Sequence, residues 1–260
     1  MKRYYLGLIM TGLHLFTVNI WAATMIEVRN AQAQTQQIYI SEDYARMQMT
    51  ETNQAPQAYR LIDLKMRKIY MVNLAEKRYF DPSIIRLNPN QRQKPQQAMP
   101  NMPIFRGQNE PPDVPITAEL IKVAGETIEV AGYPTEHYQV VANGEMCSDD
   151  YFSKQALKIG HIAQFDKAMQ AIEEEQKVDV TKLSQQHPCV QAYQQLEPQM
   201  TALGMRMKSV YAMGQLKGQI RNEVMIIKTD AQVEAGFFSL EDFAPLSLQE
   251  TQQIMQPRRR

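Results

Sequence analysis

IYISEDYARMQMTETNQAPQAYRLIDLKMRKIYMV, residues 38–72, decides the fold class. Ile38-Tyr39-Ile40, Ala45 to Met49, Tyr59 to Ile62 and Ile69 to Val72 are rich in β-branched, aromatic and Met residues. Ser41-Glu42-Asp43 and Asn53 to Pro56 are turn-forming breaks between them, and Asn73 to Lys77 follows as a third. Starts about ten residues apart leave no room for crossover helices, so the stretch predicts an antiparallel meander. Arg46, Gln48 and Thr50 alternate with Met47 and Met49, the pattern of a strand with one wet and one dry face.

Working outward, the same strand grammar starts at Ile26 and runs to Phe80, then breaks. Residues 88–115 hold seven of the fourteen prolines, interleaved with Gln, Asn and Arg. Proline gives neither ladder donors nor helix interiors, so this is an insertion, with Ile104-Phe105 as its one apolar anchor. Strands resume as Glu119 to Val123, Thr127 to Val130, His137 to Val141 and Met146 to Phe152, and Asn143-Gly144 is a strong hairpin signal. The period then changes: Ile162, Phe165, Met169 and Ile172 fall on one stripe of a helix ending near Gln176. A second helix opens at Pro188, turns Val190, Tyr193 and Leu196 inward, and bends or ends near Pro198. Strand patterning returns in Met205 to Met213, Ile220 to Lys228 and Val233 to Phe238, and Ser247 to Met255 reads as one short helix in a tail of residues 246–260. The expected class is α+β: one curved antiparallel sheet in residues 23–245, covered by a late-inserted helical pair.

At the front, Lys2 and Arg3 precede an apolar stretch from Leu6 to Ile20, and Ile20-Trp21-Ala22 supplies small-residue cleavage chemistry. Residues 1–22 therefore read as a signal peptide, and the run is too short and too polar to anchor the chain in a bilayer. The expected address is the periplasm or the exterior of a Gram-negative cell, with no transmembrane segment in the mature chain. Of 28 basic and 28 acidic residues, Lys2 and Arg3 leave with the leader. The balance that remains gives no basic excess for nucleic acid, and Arg258, Arg259 and Arg260 read as a solvated end.

Tyr59-Arg-Leu-Ile-Asp63, then Ile69-Tyr70-Met-Val72 and Lys77-Arg-Tyr79, resembles the repeated strand and hairpin units of exported bacterial proteins with a LolA/LolB-like half-barrel. Val130-Ala-Gly-Tyr-Pro134 leading into His137-Tyr-Gln-Val140 and Cys147 to Ser153 is similar to a strand-turn-strand of uncharacterised secreted families sharing that fold. The resemblance implies an apolar-lined sheet capped by helices, which in the lipoprotein carriers holds acyl chains.

No nucleophile elbow, phosphate loop, His-Glu-x-x-His or Cys-x-x-Cys occurs, so no catalytic residue, cofactor or metal ligand is assigned. His137, His161 and His187 stand apart in sequence and read as satisfied structural histidines, and Asp149 and Asp150, as neighbours in a strand, face opposite ways. Cys147 and Cys189 are an even count in an oxidising compartment and predict a disulfide pinning helix to sheet. Seventeen methionines include Met47-x-Met49 and Met205-x-Met207. Such pairs suit copper(I), but without interleaved histidines they read as adaptable lining. Met47, Met49, Met205 and Met207 with Ile162, Phe165, Met169 and Ile172 are thus the expected lining of a cavity for an apolar ligand, a lipid or acyl chain. The alternative is an interaction module that docks an envelope protein partner through a sheet edge or the Pro/Gln loop.

Overall fold

A computed structural model describes residues 21–50, 56–83, 116–175 and 187–255. The 88–115 insertion, its Ile104-Phe105 anchor and the Arg258–Arg260 tail lie outside the described residues, as does the leader apart from Trp21 and Ala22.

The strands are β1 (Trp21–Asn30), β2 (Thr35–Ile40), β3 (Tyr44–Thr50), β4 (Ala58–Asp63), β5 (Lys68–Asn73), β6 (Arg78–Phe80), β7 (Ala118–Val130), β8 (Tyr133–Ala142), β9 (Glu145–Ser153), β10 (Met205–Tyr211), β11 (Ile220–Val233) and β12 (Ala244–Pro245). They form one sheet in the order β12-β6-β5-β4-β3-β2-β1-β11-β10-β9-β8-β7. Every pairing is antiparallel except β12 on β6. The helices are α1 (Lys154–Leu157), α2 (Ile162–Glu175), α3 (Pro188–Ala202) and α4 (Leu248–Met255). The architecture is α+β, a single curved and unclosed sheet. Its β7 edge curls back until Cα atoms of β7 and β11 come within 8 Å, without ladder pairing.

Strand alternation gives each half of the sheet two distinct faces. On the helix face, Ile26, Ile38, Ile40, Ala45 and Ile62 meet Ile162, Ala168 and Ile172 of α2, together with Met207 and Val224. Farther along, α3 lays Ala192, Leu196 and Met200 against Tyr138, Val140 and Phe152. On the far face, Tyr59, Leu61 and Val72 are covered by the segment after β11, through Phe237, Phe238, Leu240 and Phe243. The expected wet face of β3 is therefore half covered by chain from the other end of the molecule.

Three local expectations are corrected. Ala124-Gly125 does not separate two strands: β7 is continuous, and the break is a bulge between the pairs Lys122↔Tyr138 and Thr127↔Glu136, with Gly125 at φ +82°. Pro198 does not end α3, which runs on to Ala202. It lies on the exposed side, as does Gln194, so the carbonyl that the proline cannot pair is left at the solvent face. Val233 closes β11, and Gly236 at φ +84° turns the following residues across the far face instead of into a strand. At the α3–β10 junction Gly204 has φ +113°, and a Cβ there would sit 2.6 Å from the Ser153 carbonyl oxygen, so the helix layer meets β9 only over a glycine.

Candidate functional site

The residues expected to line a cavity are brought together on the helix face. Ile162, Ile172 and Met207 are buried in the core under α2, and Met47, Phe165, Met169 and Met205 pack around it, while Met49 at the end of β3 is 38% exposed. Of this set Met169 lines an open groove of 230 Å³ between α2 and α3, together with Asp166, Glu173, Glu197 and Arg206. Burial, then repulsion from Glu197, raises the pKa of Asp166, and the same two causes in that order raise that of Glu173.

Cys147 and Cys189 are bonded, with Cα atoms 5.6 Å apart. The register explains the reach: Val140 pairs with Ser148 and Val141 with Met146, so Cys147 is the extra residue of a bulge. That bulge lets both Cys147 and Asp150 serve the helix face. Cys189 is the second residue of α3, whose N-cap is His187, with Nδ1 accepting from the Cys189 N–H at 3.2 Å.

The two aspartates do face opposite ways. Asp149 accepts from Gln139 and bonds Nε2 of His137 at 2.8 Å, while the β7 bulge aims Glu126 at His137 Nδ1, 2.7 Å away. Both ring nitrogens of His137 are thereby occupied, and the ring stacks on Tyr151. On the helix face, Asp150 is fully buried, with Oδ2 3.0 Å from each of the Ser148 and Tyr193 hydroxyls, which also lie within hydrogen-bond reach of each other, so that two hydroxyl protons are shared among three contacts. Arg206 Nε lies 3.9 Å from Asp150 Oδ1. Those two atoms and Oγ of Ser209, which pairs with Asp150 across the ladder, are buried without a hydrogen-bond partner.

The larger open site is on the far face. There a pocket of 460 Å³ is bounded by Tyr39, Arg46, Tyr59, Phe237 and Phe243, with Gln232 to Gly236 at its rim. Alternation on β2, β3 and β4 puts Tyr39, Arg46 and Tyr59 on one face, and the turn after β11 brings the phenylalanines over them. The Arg46 guanidinium lies over two rings, 3.8 Å from the Tyr59 centroid and 4.1 Å from that of Phe237. Its Nε donates to Gln48 Oε1 and its Nη1 to the Phe237 carbonyl, both at 3.1 Å. Among the described residues no carboxylate lies within ion-pair distance of it. Glu27 is linked to it only through Gln37 and Gln48, by hydrogen bonds of 3.3 and 3.4 Å, and Glu234 at the rim is exposed. Burial pulls the pKa of Arg46 below the ordinary arginine value, against the opposing pull of Tyr59 and Tyr39, and burial raises those of both tyrosines.

Sequence reasoning passed over this site. Its one local signal was an arginine in mid-strand, flanked across the ladder by strands carrying Tyr39 and Tyr59, and the covering Phe237 is 191 positions away. Among the described residues no group of three or more His, Cys, Asp or Glu side chains could hold a metal, and no helix is long and apolar enough to cross a membrane.

No protein-family model matches the chain, and no curated protein matches its sequence. Among solved structures it is similar to an uncharacterised conserved protein from Thermus thermophilus, with a TM-score of 0.37 and 7% identity over 86% of this chain and 90% of that one.

Proposed function

We propose that the protein is a non-enzymatic binding protein of the bacterial envelope, exported by residues 1–22, that holds a ligand with an apolar body such as a lipid or acyl chain. The disulfide is compatible with an extracytoplasmic address and supports the export reading. The likeness to LolA/LolB half-barrels belongs to the same proposal, with one change of place: the ligand sits on the far face, because the helix face is occupied by packed side chains. The observation that carries the reading is the 460 Å³ pocket walled by Tyr39, Tyr59, Phe237 and Phe243. Titrating a fluorescent fatty acid into the folded, oxidised protein should give saturable, micromolar binding that Phe243→Ala weakens. A lack of saturable binding refutes it, and a mature N-terminus at Met1 refutes export.

A second reading, docking of an envelope protein, is favoured by β7, which ends the sheet and exposes Ile121 and Ile128. Strand addition there should protect the β7 amides from exchange when partner is present.

A further inference from the structure

We propose that the far-face pocket selects an amphiphile with one acidic head group, a carboxylate or a phosphate, seated on the free edge of Arg46. This rests on the binding reading above and adds the chemistry of the head. The Tyr59 and Phe237 rings crowd the guanidinium, 3.8 and 4.1 Å from its Cζ, which favours approach of a ligand at its edge. On that edge Nε and one N–H of Nη1 are committed to Gln48 and the Phe237 carbonyl, neutral acceptors that fix the plane without cancelling the charge. The remaining N–H groups form the fork that matches two oxygens of a carboxylate or phosphate. A half-buried cation with no carboxylate against it is an uncommon arrangement, because desolvation is normally offset by a paired anion. The polar ladder explains how the chain tolerates it: Glu27 reaches Arg46 only through the amides of Gln37 and Gln48, which spread its influence without occupying the fork.

Some other buried charges are matched within the chain. Glu223 takes Arg29 and Lys208, and Asp150 lies beside Arg206. Arg46 opens onto the 460 Å³ pocket with no carboxylate of the described residues within ion-pair distance. Tyr39, Tyr59, Phe237 and Phe243 offer ring faces to the first carbons behind the head, within a lining that is polar over most of its exposed surface. Glu234, exposed at the rim, carries the opposite sign to Arg46, so a second acidic group on the ligand is disfavoured there.

Octanoate, octyl phosphate and octanol share one tail and differ only at the head, and calorimetric titration of each into the unaltered protein isolates that difference. At least one acid should bind tenfold or more tighter than octanol, a charged hydrogen-bonded pair being worth roughly that much. The tighter of the two acids names the head. Arg46→Gln should remove most of the difference between that acid and octanol, whatever it does to the affinity the two share. Equal binding of all three by the unaltered protein overturns the acidic head while leaving the binding reading standing. If none binds, both ideas fall. Because this series needs no variant, it decides the matter even if Arg46→Gln folds poorly.

Discussion

Reducing the Cys147–Cys189 bridge should cost the folded protein about 4 kcal/mol, almost all of it through the unfolded chain. The bridge closes a loop of 42 residues. The chain-entropy relation for that length gives about 13 cal/mol/K of lost freedom in the unfolded ensemble, or about 4 kcal/mol at 25 °C. In the folded state little changes on reduction. Both cysteines are buried in the core between α3 and β9, with Cys189 against Met213, and two thiols would keep most of those contacts. Urea unfolding followed by circular dichroism, with and without a phosphine reductant, measures the difference directly. The midpoint should fall and the slope with denaturant should rise, because an uncrosslinked chain exposes more surface when it unfolds. A thermal scan should show a drop of roughly 8–16 °C for a chain of this size. A loss under about 1 kcal/mol, or a full loss with an unchanged slope, would refute the argument, since either places the bridge's effect somewhere other than the unfolded chain.

Asp150→Ala should destabilise by about 3 kcal/mol or more in the same urea assay, because it strands Arg206 and removes the shared acceptor of Ser148 and Tyr193. A change below about 1 kcal/mol would mean that the cluster is solvated. Gly204→Ala should lower the melting temperature by several degrees, since its Cβ meets the Ser153 carbonyl at 2.6 Å in a positive-φ conformation, and a neutral result would show that the α3–β10 junction yields easily. Glu250 should titrate at about pH 2 by carbon-13 NMR: the Ser247 hydroxyl and N–H, then Arg78, hold its carboxyl below the ordinary 4.5. A depressed folded-state value means that its support of α4 is complete above about pH 4.5 and is lost as pH falls through 2. A midpoint near 4.5 would show that Ser247 and Glu250 do not cap this helix.

The sheet and both long helices were legible because their signals are local. Ile162, Phe165, Met169 and Ile172 have no reading but a helical stripe, and 38–72 none but strands. The errors came where a local rule met a distant fact. Ala124-Gly125 has the composition of a turn, yet the unbroken partner β8 makes it a bulge. Pro198 breaks helices when its orphaned carbonyl is buried, and here the proline lies on the exposed side. The Arg46 pocket was the least legible feature. Its floor is set by alternation on β2 to β4, but its roof depends on Gly236 turning Phe237 back over the sheet, which no periodicity records.

The pairing of β1 with β11 has a consequence in time. Ile26, among the first strand residues, lies beside Ile227, near the end of the chain. As a polypeptide is made, N-terminus first, β1 to β5 can associate as hairpins, but the core they face is still missing α2, Met207 and Val224. Those early strands must therefore wait, half satisfied, until nearly the whole chain has been delivered. Closing so long a loop costs chain entropy, and the docking of β11 onto β1 is expected to come late in folding. With this topology the core around β1 cannot be completed until β11 has been made, so the last quarter of the chain sets when the first strand is finally packed.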